Sequence, residues 1–221
     1  MKQIFAGEVY EILPTANGFV FAYCKEKKDD NVTVAFKMLT FDGQFTDVAK
    51  NIYLLSKFGN NYKAVSSNCK NFITVKSLLL PNGKVFLLED DGSACLLDVD
   101  ASLLWSGELT YRNNAPSDIK IHHRSLWACY KESDVLLKFS LNTMREELRI
   151  GGKSSPFKEP RDIFIDGDNA IISNSGSNKL IQFNLKSYNF FEVESFEESV
   201  WQYIKVNDYR IVVLKSGIYL I

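Results

Sequence analysis

The sequence predicts an all-β fold: a five-bladed β-propeller with four antiparallel strands per blade, closed by the N-terminal strand. Three observations predict it. A unit repeats at a fixed spacing, five apolar runs of strand length recur between turn dipeptides, and the last unit lacks a strand that the first residues can supply.

The repeat is clearest between Pro116–Leu141 and Pro160–Leu185, which align without a gap at an offset of 44 residues. Eight of 26 positions are identical: Pro116, Asp118, Ile119, Ile121, Ser133, Leu136, Phe139 and Leu141 match Pro160, Asp162, Ile163, Ile165, Ser177, Leu180, Phe183 and Leu185. Most other pairs keep apolar against apolar. A period of ~40–45 residues is the spacing of a four-stranded propeller blade.

The same unit extends outward. The runs at 19–23, 85–88, 126–130, 170–172 and 211–214 are apolar nearly throughout. A half-exposed strand alternates, whereas a strand covered on both faces does not, and the middle strands of a blade are covered by neighbouring blades. Asn-Gly, Asp-Gly and Ser-Gly pairs punctuate the runs, as in Asn17-Gly18, Asn82-Gly83, Asp166-Gly167 and Ser216-Gly217. Helical periodicity is weak, with one turn expected over 141–148. The first blade is followed by extra material at 51–71. The fifth stops at Ile221 after its third strand, so residues 2–8 are expected to complete it and make residues 1–221 a single domain.

Composition narrows the classes of function. With 26 Lys plus Arg against 27 Asp plus Glu, there is no electrostatic footprint for nucleic acid or an anionic membrane. The mixed run Lys25–Asp30 reads as a solvated loop. No apolar run approaches a membrane span, and with Met1 as the native start the expected location is the cytoplasm. Cys24, Cys69, Cys95 and Cys129 form no C-x-x-C pair and are expected to be reduced. No cofactor is implied, and a monomer is expected.

The segment Ile163–Phe183, with proline before it, apolar strands around Asp166-Gly167 and a Ser/Asn/Gly turn at 173–178, resembles an NHL repeat. One blade matches this pattern well and the Pro116 blade partly. The resemblance implies a propeller but no activity, since such propellers include binding platforms, hydrolases and lyases.

Strand order puts the short turns on one face. The long connections at 25–31, 59–71, 111–117 and 151–161 fall on the other, where binding is expected. At the channel mouth of that face the repeat aligns Glu11, Asp118 and Asp162, with Lys76 and Tyr203 at the matching positions of blades two and five. Converging carboxylates can hold a cation or work as acid and base. The reading favoured by residue type is that each acid caps backbone N–H groups where a linker turns inward. His122 and His123 are expected to point to opposite faces of a strand and so not to share a metal. The segment 151–155 lacks the spacing of a phosphate-binding loop and reads as a linker. No catalytic set and no metal site are assigned. The expected function is a non-catalytic binding or scaffold propeller that presents its long-loop face to a protein, peptide or carbohydrate. The alternative is a small hydrolase or lyase using the acids at the mouth.

Overall fold

A computed structural model describes residues 1–29, 31–152 and 155–221. Asp30 of the mixed-charge run and Lys153-Ser154 of the 151–155 linker lie outside the described residues.

Five four-stranded antiparallel sheets form the ring of a five-bladed propeller. The strand β1 (Lys2–Ala6) comes first in the chain but belongs to the last blade. Blade one is β2 (Val9–Thr15), β3 (Gly18–Lys28), β4 (Asn31–Thr40) and β5 (Phe45–Asp47). Two helices follow, α1 (Lys50–Phe58) and α2 (Tyr62–Ser67). Blade two is β6 (Lys76–Leu79), β7 (Val85–Leu88), β8 (Ser93–Leu97) and β9 (Leu103–Glu108). Blade three is β10 (Asp118–His122), β11 (Ser125–Tyr130), β12 (Val135–Ser140) and β13 (Glu146–Gly151). Blade four is β14 (Pro160–Asp166), β15 (Asn169–Asn174), β16 (Lys179–Asn184) and β17 (Phe190–Ser195). Blade five is β18 (Val200–Val206), β19 (Tyr209–Leu214), β20 (Gly217–Leu220) and then β1.

The burial of each strand follows its rank in the blade. The second strands are apolar because both faces are covered: every residue of β7 is buried, as are five of the six in β11. The outer strands β9, β13 and β17 have no buried residue. The repeat also has a backbone signature. After β11 and β15 a 3-10 turn ends in a left-handed residue, Asp134 (φ 55°) and Asn178 (φ 59°), residue types that tolerate that conformation.

Ring closure is as expected. β1 pairs antiparallel with β20, Lys2 opposite Leu220 and Ala6 opposite Gly217. Phe5 fixes the register by packing its ring 5.0 Å from Phe21 and 5.1 Å from Tyr23. Gly217 is required here: at φ 150° its backbone lies so close to the Phe5 carbonyl that a Cβ would overlap the oxygen.

Four local expectations are corrected. The extra material expected at 51–71, where helical periodicity is weak, holds the helices α1 and α2, and 146–151 form strand β13 with only a turn before it. The expected loop at 25–31 is a strand extension on both sides, since β3 runs to Lys28 and β4 starts at Asn31. His123 leaves the strand at φ 54°, which cancels the alternation and brings its ring to 4.1 Å from that of His122, centroid to centroid.

Candidate functional site

The innermost strands β2, β6, β10, β14 and β18 bring their first residues to the channel mouth. There, a cavity of about 300 Å³ is lined by Tyr10, Lys76, Lys131, Arg161, Asp162, Trp201 and Gln202 among others. Its floor is built by a recurring latch between blades. Asp118 Oδ2 accepts the Ile163 N–H at 3.1 Å, and Asp162 Oδ2 accepts the Tyr203 N–H at 3.1 Å. Gln202 Oε1 accepts the Ile12 N–H at 2.9 Å, while its amide donates to the Ile12 carbonyl at 3.0 Å. Each latch joins one inner strand to the next. These acids therefore cap backbone groups, but those of the neighbouring blade, not of their own linker.

The latch also fixes the register of blade five. The residue equivalent to Asp118 and Asp162 is Gln202. Tyr203, one position on, supplies the N–H and packs its ring 5.4 Å from Phe164.

Between blades one and two the latch is replaced by α1. The helix buries Tyr53, Leu54, Lys57 and Phe58 on one face, and the apolar three join a core drawn from both blades, including Val20, Phe36, Val75 and Leu87. Glu11 Oε2 accepts from Tyr53 Oη at 2.6 Å and from Lys57 Nζ at 2.7 Å, all buried. Lys57 also donates to the Ile73 carbonyl at 3.3 Å, and the Lys57 carbonyl accepts from Ser77 Oγ at 2.8 Å. Thus Glu11 reaches blade two through the helix.

Three lysines stand against two of the three carboxylates. Lys57 pairs with Glu11, Lys120 with Asp118 at 2.8 Å, and Lys76 Nζ stands 4.0 Å from Glu11 Oε1. Burial works to raise the Glu11 carboxyl, but Lys57 and Lys76 outweigh it and hold it below its ordinary value. Asp118 is likewise pushed up by burial and brought lower on balance by Lys120, Lys76 and the Ile163 N–H. Among the described residues, Asp162 has no lysine in contact. Burial, and then the charge of Asp118, raise it to about 7. Burial pulls Lys57 below its usual value against the opposing pull of Glu11.

Of the five residues the sequence aligned, Lys76 and Asp162 line the mouth, Glu11 and Asp118 lie in the latch layer, and Tyr203 closes a latch through its backbone. Sequence reasoning missed Lys120, Lys57, Arg161, Trp201 and Gln202. Strand alternation carried the signal for Lys120, two residues from Asp118 and therefore on the same face. The signal for Lys57 was the spacing Tyr53, Leu54, Lys57, Phe58 ahead of Gly59.

Charges of both signs stand at the mouth. Arg161 stacks its guanidinium 4.2 Å from the Trp201 ring, and with Lys76 and Lys131 forms a cationic side. Next to it, sharing Thr74, Lys76 and Ser117, a recess of about 420 Å³ between blades two and three is lined by Glu89, Asp90, Asp91 and Glu132.

No protein-family model and no curated protein sequence matches the chain. Among solved structures it is similar to a streptogramin B lyase, with TM-score 0.54 and 10% identity over 98% of this chain and 69% of that one. It is also similar to the virginiamycin B lyase of Staphylococcus aureus, with TM-score 0.53 and 12% identity over 100% and 72% of the two chains. A protein of unknown function from Bacteroides caccae gives 0.51 and 13% over 94% and 70%. At such identities the likeness carries the propeller fold and no activity.

Proposed function

We propose that the protein is a non-catalytic binding platform, an NHL-like propeller whose long-loop face receives a polypeptide bearing both acidic and basic side chains. The observation that supports this reading is that half-buried and exposed charges of both signs stand side by side at the mouth. Arg161, Lys76 and Lys131 line the mouth, and Glu89, Asp90, Asp91 and Glu132 line the recess beside it, with Lys76 on the border of both. Lys131 pairs with Glu132 across that border at 3.3 Å, and Asp91 pairs with Lys70. A nucleic acid or an anionic sugar presents one sign of charge and is repelled by half of this surface. A peptide segment can satisfy both halves, with a carboxylate on Arg161 and a lysine or arginine over the recess.

The acids expected for a hydrolase are engaged elsewhere. Asp118 is held by Lys120 and the Ile163 N–H, and Glu11 by Tyr53 and Lys57, so neither faces a substrate at the mouth. Asp162 alone lines the cavity, and acid–base work of the usual kind needs a second group.

The test is an array of mixed-charge peptides probed with wild type and with an Arg161→Ala/Lys131→Ala variant. Wild type is expected to retain peptides that carry a carboxylate within a few residues of a basic side chain, with retention falling as salt rises. The variant is expected to lose most of them. Equal retention by the two proteins removes the mouth from the reading.

A further inference from the structure

We propose that His122, His123 and Asp168 form a binding site for a divalent metal of the zinc or nickel type on the short-turn face, opposite the channel mouth. The three offer one ligand atom each, and these atoms lie within 4.8 Å of one another. Two imidazoles and a carboxylate are the donor set that such borderline metals prefer over calcium or magnesium, which take oxygen ligands.

The site is made by two hairpins in register. His122 ends β10, His123 lies in the turn to β11, and Asp168 lies in the turn between β14 and β15. At the repeat offset His123 corresponds to Gly167, and both are left-handed, at φ 54° and 60°. A histidine thus occupies a backbone position where the neighbouring blade has glycine, and this puts its ring beside that of His122. Asp168 Oδ1 stands 3.9 Å from His122 Nε2, too far for a hydrogen bond. A metal between them draws the three donors inward from the positions they already hold.

Lys186 competes for the same carboxylate, pairing with Asp168 Oδ2 at 2.7 Å. Its removal is therefore expected to strengthen binding. A metal held here also bridges blades three and four, and so stabilises the ring in proportion to its occupancy.

His122 and His123 are the two histidines of the chain, so imidazole NMR signals report on this site alone. Zinc titration of the full chain, followed by the ring signals and by melting temperature, is expected to shift both rings together with saturation at one equivalent and to raise Tm. His123→Ala and Asp168→Asn are expected to weaken binding ten-fold or more and to abolish the Tm rise, and Lys186→Ala to tighten it several-fold. All three substitutions fall on turns, and melting without metal verifies that each variant is folded. A shift of one ring only, or equal affinity in wild type and Asp168→Asn, overturns the proposal. Zinc taken up by the thiols leaves the ring signals unmoved, and that result also rejects it.

Discussion

Asp118 and Asp162 hold the same place in adjacent blades and make the same latch, yet their proton affinities shift in opposite directions. Burial raises both, but among the described residues Asp118 has a lysine in contact and Asp162 has none, and the charge of Asp118 raises Asp162 further. The consequence is a definite pH dependence. A carboxyl raised to about 7 when folded keeps a proton that the unfolded chain gives up near 3.8. Its contribution to stability is therefore complete below 3.8 and is lost as pH rises to 7. Glu11 and Asp118, held low, act in the opposite sense and stabilise above the ordinary carboxylate range. Asp162→Asn keeps an oxygen for the Tyr203 N–H and removes the titrating group. Urea melts are expected to show the variant ~2–4 kcal/mol more stable than wild type at pH 8, since each tenfold change in proton affinity is worth ~1.4 kcal/mol. A wild-type curve with the same slope as the variant between pH 4 and 7 refutes this. Asp118→Asn removes the neighbouring charge and is expected to lower the Asp162 value, read from its carboxyl carbon chemical shift.

At the scale of elements, α1 is a wedge that serves where one blade-to-blade latch is absent. Its stability is tertiary. No side chain caps its N-terminus and no acidic residue stands in its first turn, so a nine-residue segment has little reason to be helical by itself. The buried face supplies the reason, since Tyr53 and Phe58 are almost fully enclosed between two blades. Lys57→Met leaves the Glu11 charge buried without its nearest partner and is expected to cost about 3–5 kcal/mol. Adding Glu11→Gln should recover most of that loss, because the charge then disappears while Tyr53 keeps an acceptor. A double variant no more stable than Lys57→Met would show that the helix packs independently of the ion pair.

For the whole molecule the decisive feature is closure. Four sheets are each made from one continuous stretch, whereas the fifth joins the two ends of the chain through the pairing of β1 with β20. Removing residues 1–7 exposes the edge of β20 and takes Phe5 from Phe21 and Tyr23. The expected loss is roughly 3 kcal/mol or more, from the apolar area of Ile4 and Phe5 and the aromatic contacts. Gly217→Ala, which places a methyl group against the Phe5 carbonyl, should reproduce part of it. An unchanged denaturation midpoint after the deletion would sink the idea that closure holds the ring.

The sequence by itself determined the blade count, the order of strands and the closing strand. These depend on local pattern: apolar runs of strand length, turn dipeptides, and a repeat whose identities are core and turn residues such as Ile119, Phe139 and Ser133. It also brought forward Glu11, Asp118 and Asp162 as one ring of positions. What those carboxylates do was decided only by the tertiary structure. The partners of each lie far along the chain: Lys57 is 46 residues from Glu11, and the Ile163 N–H is 45 from Asp118. The pairing of His122 with His123 turned on a single left-handed residue, and the helix α1 on a cleft between blades that exists only once the ring has formed. Strand patterning is a property of a few neighbouring residues, whereas burial and charge at the channel are properties of five inner strands brought together, which no local stretch of sequence contains.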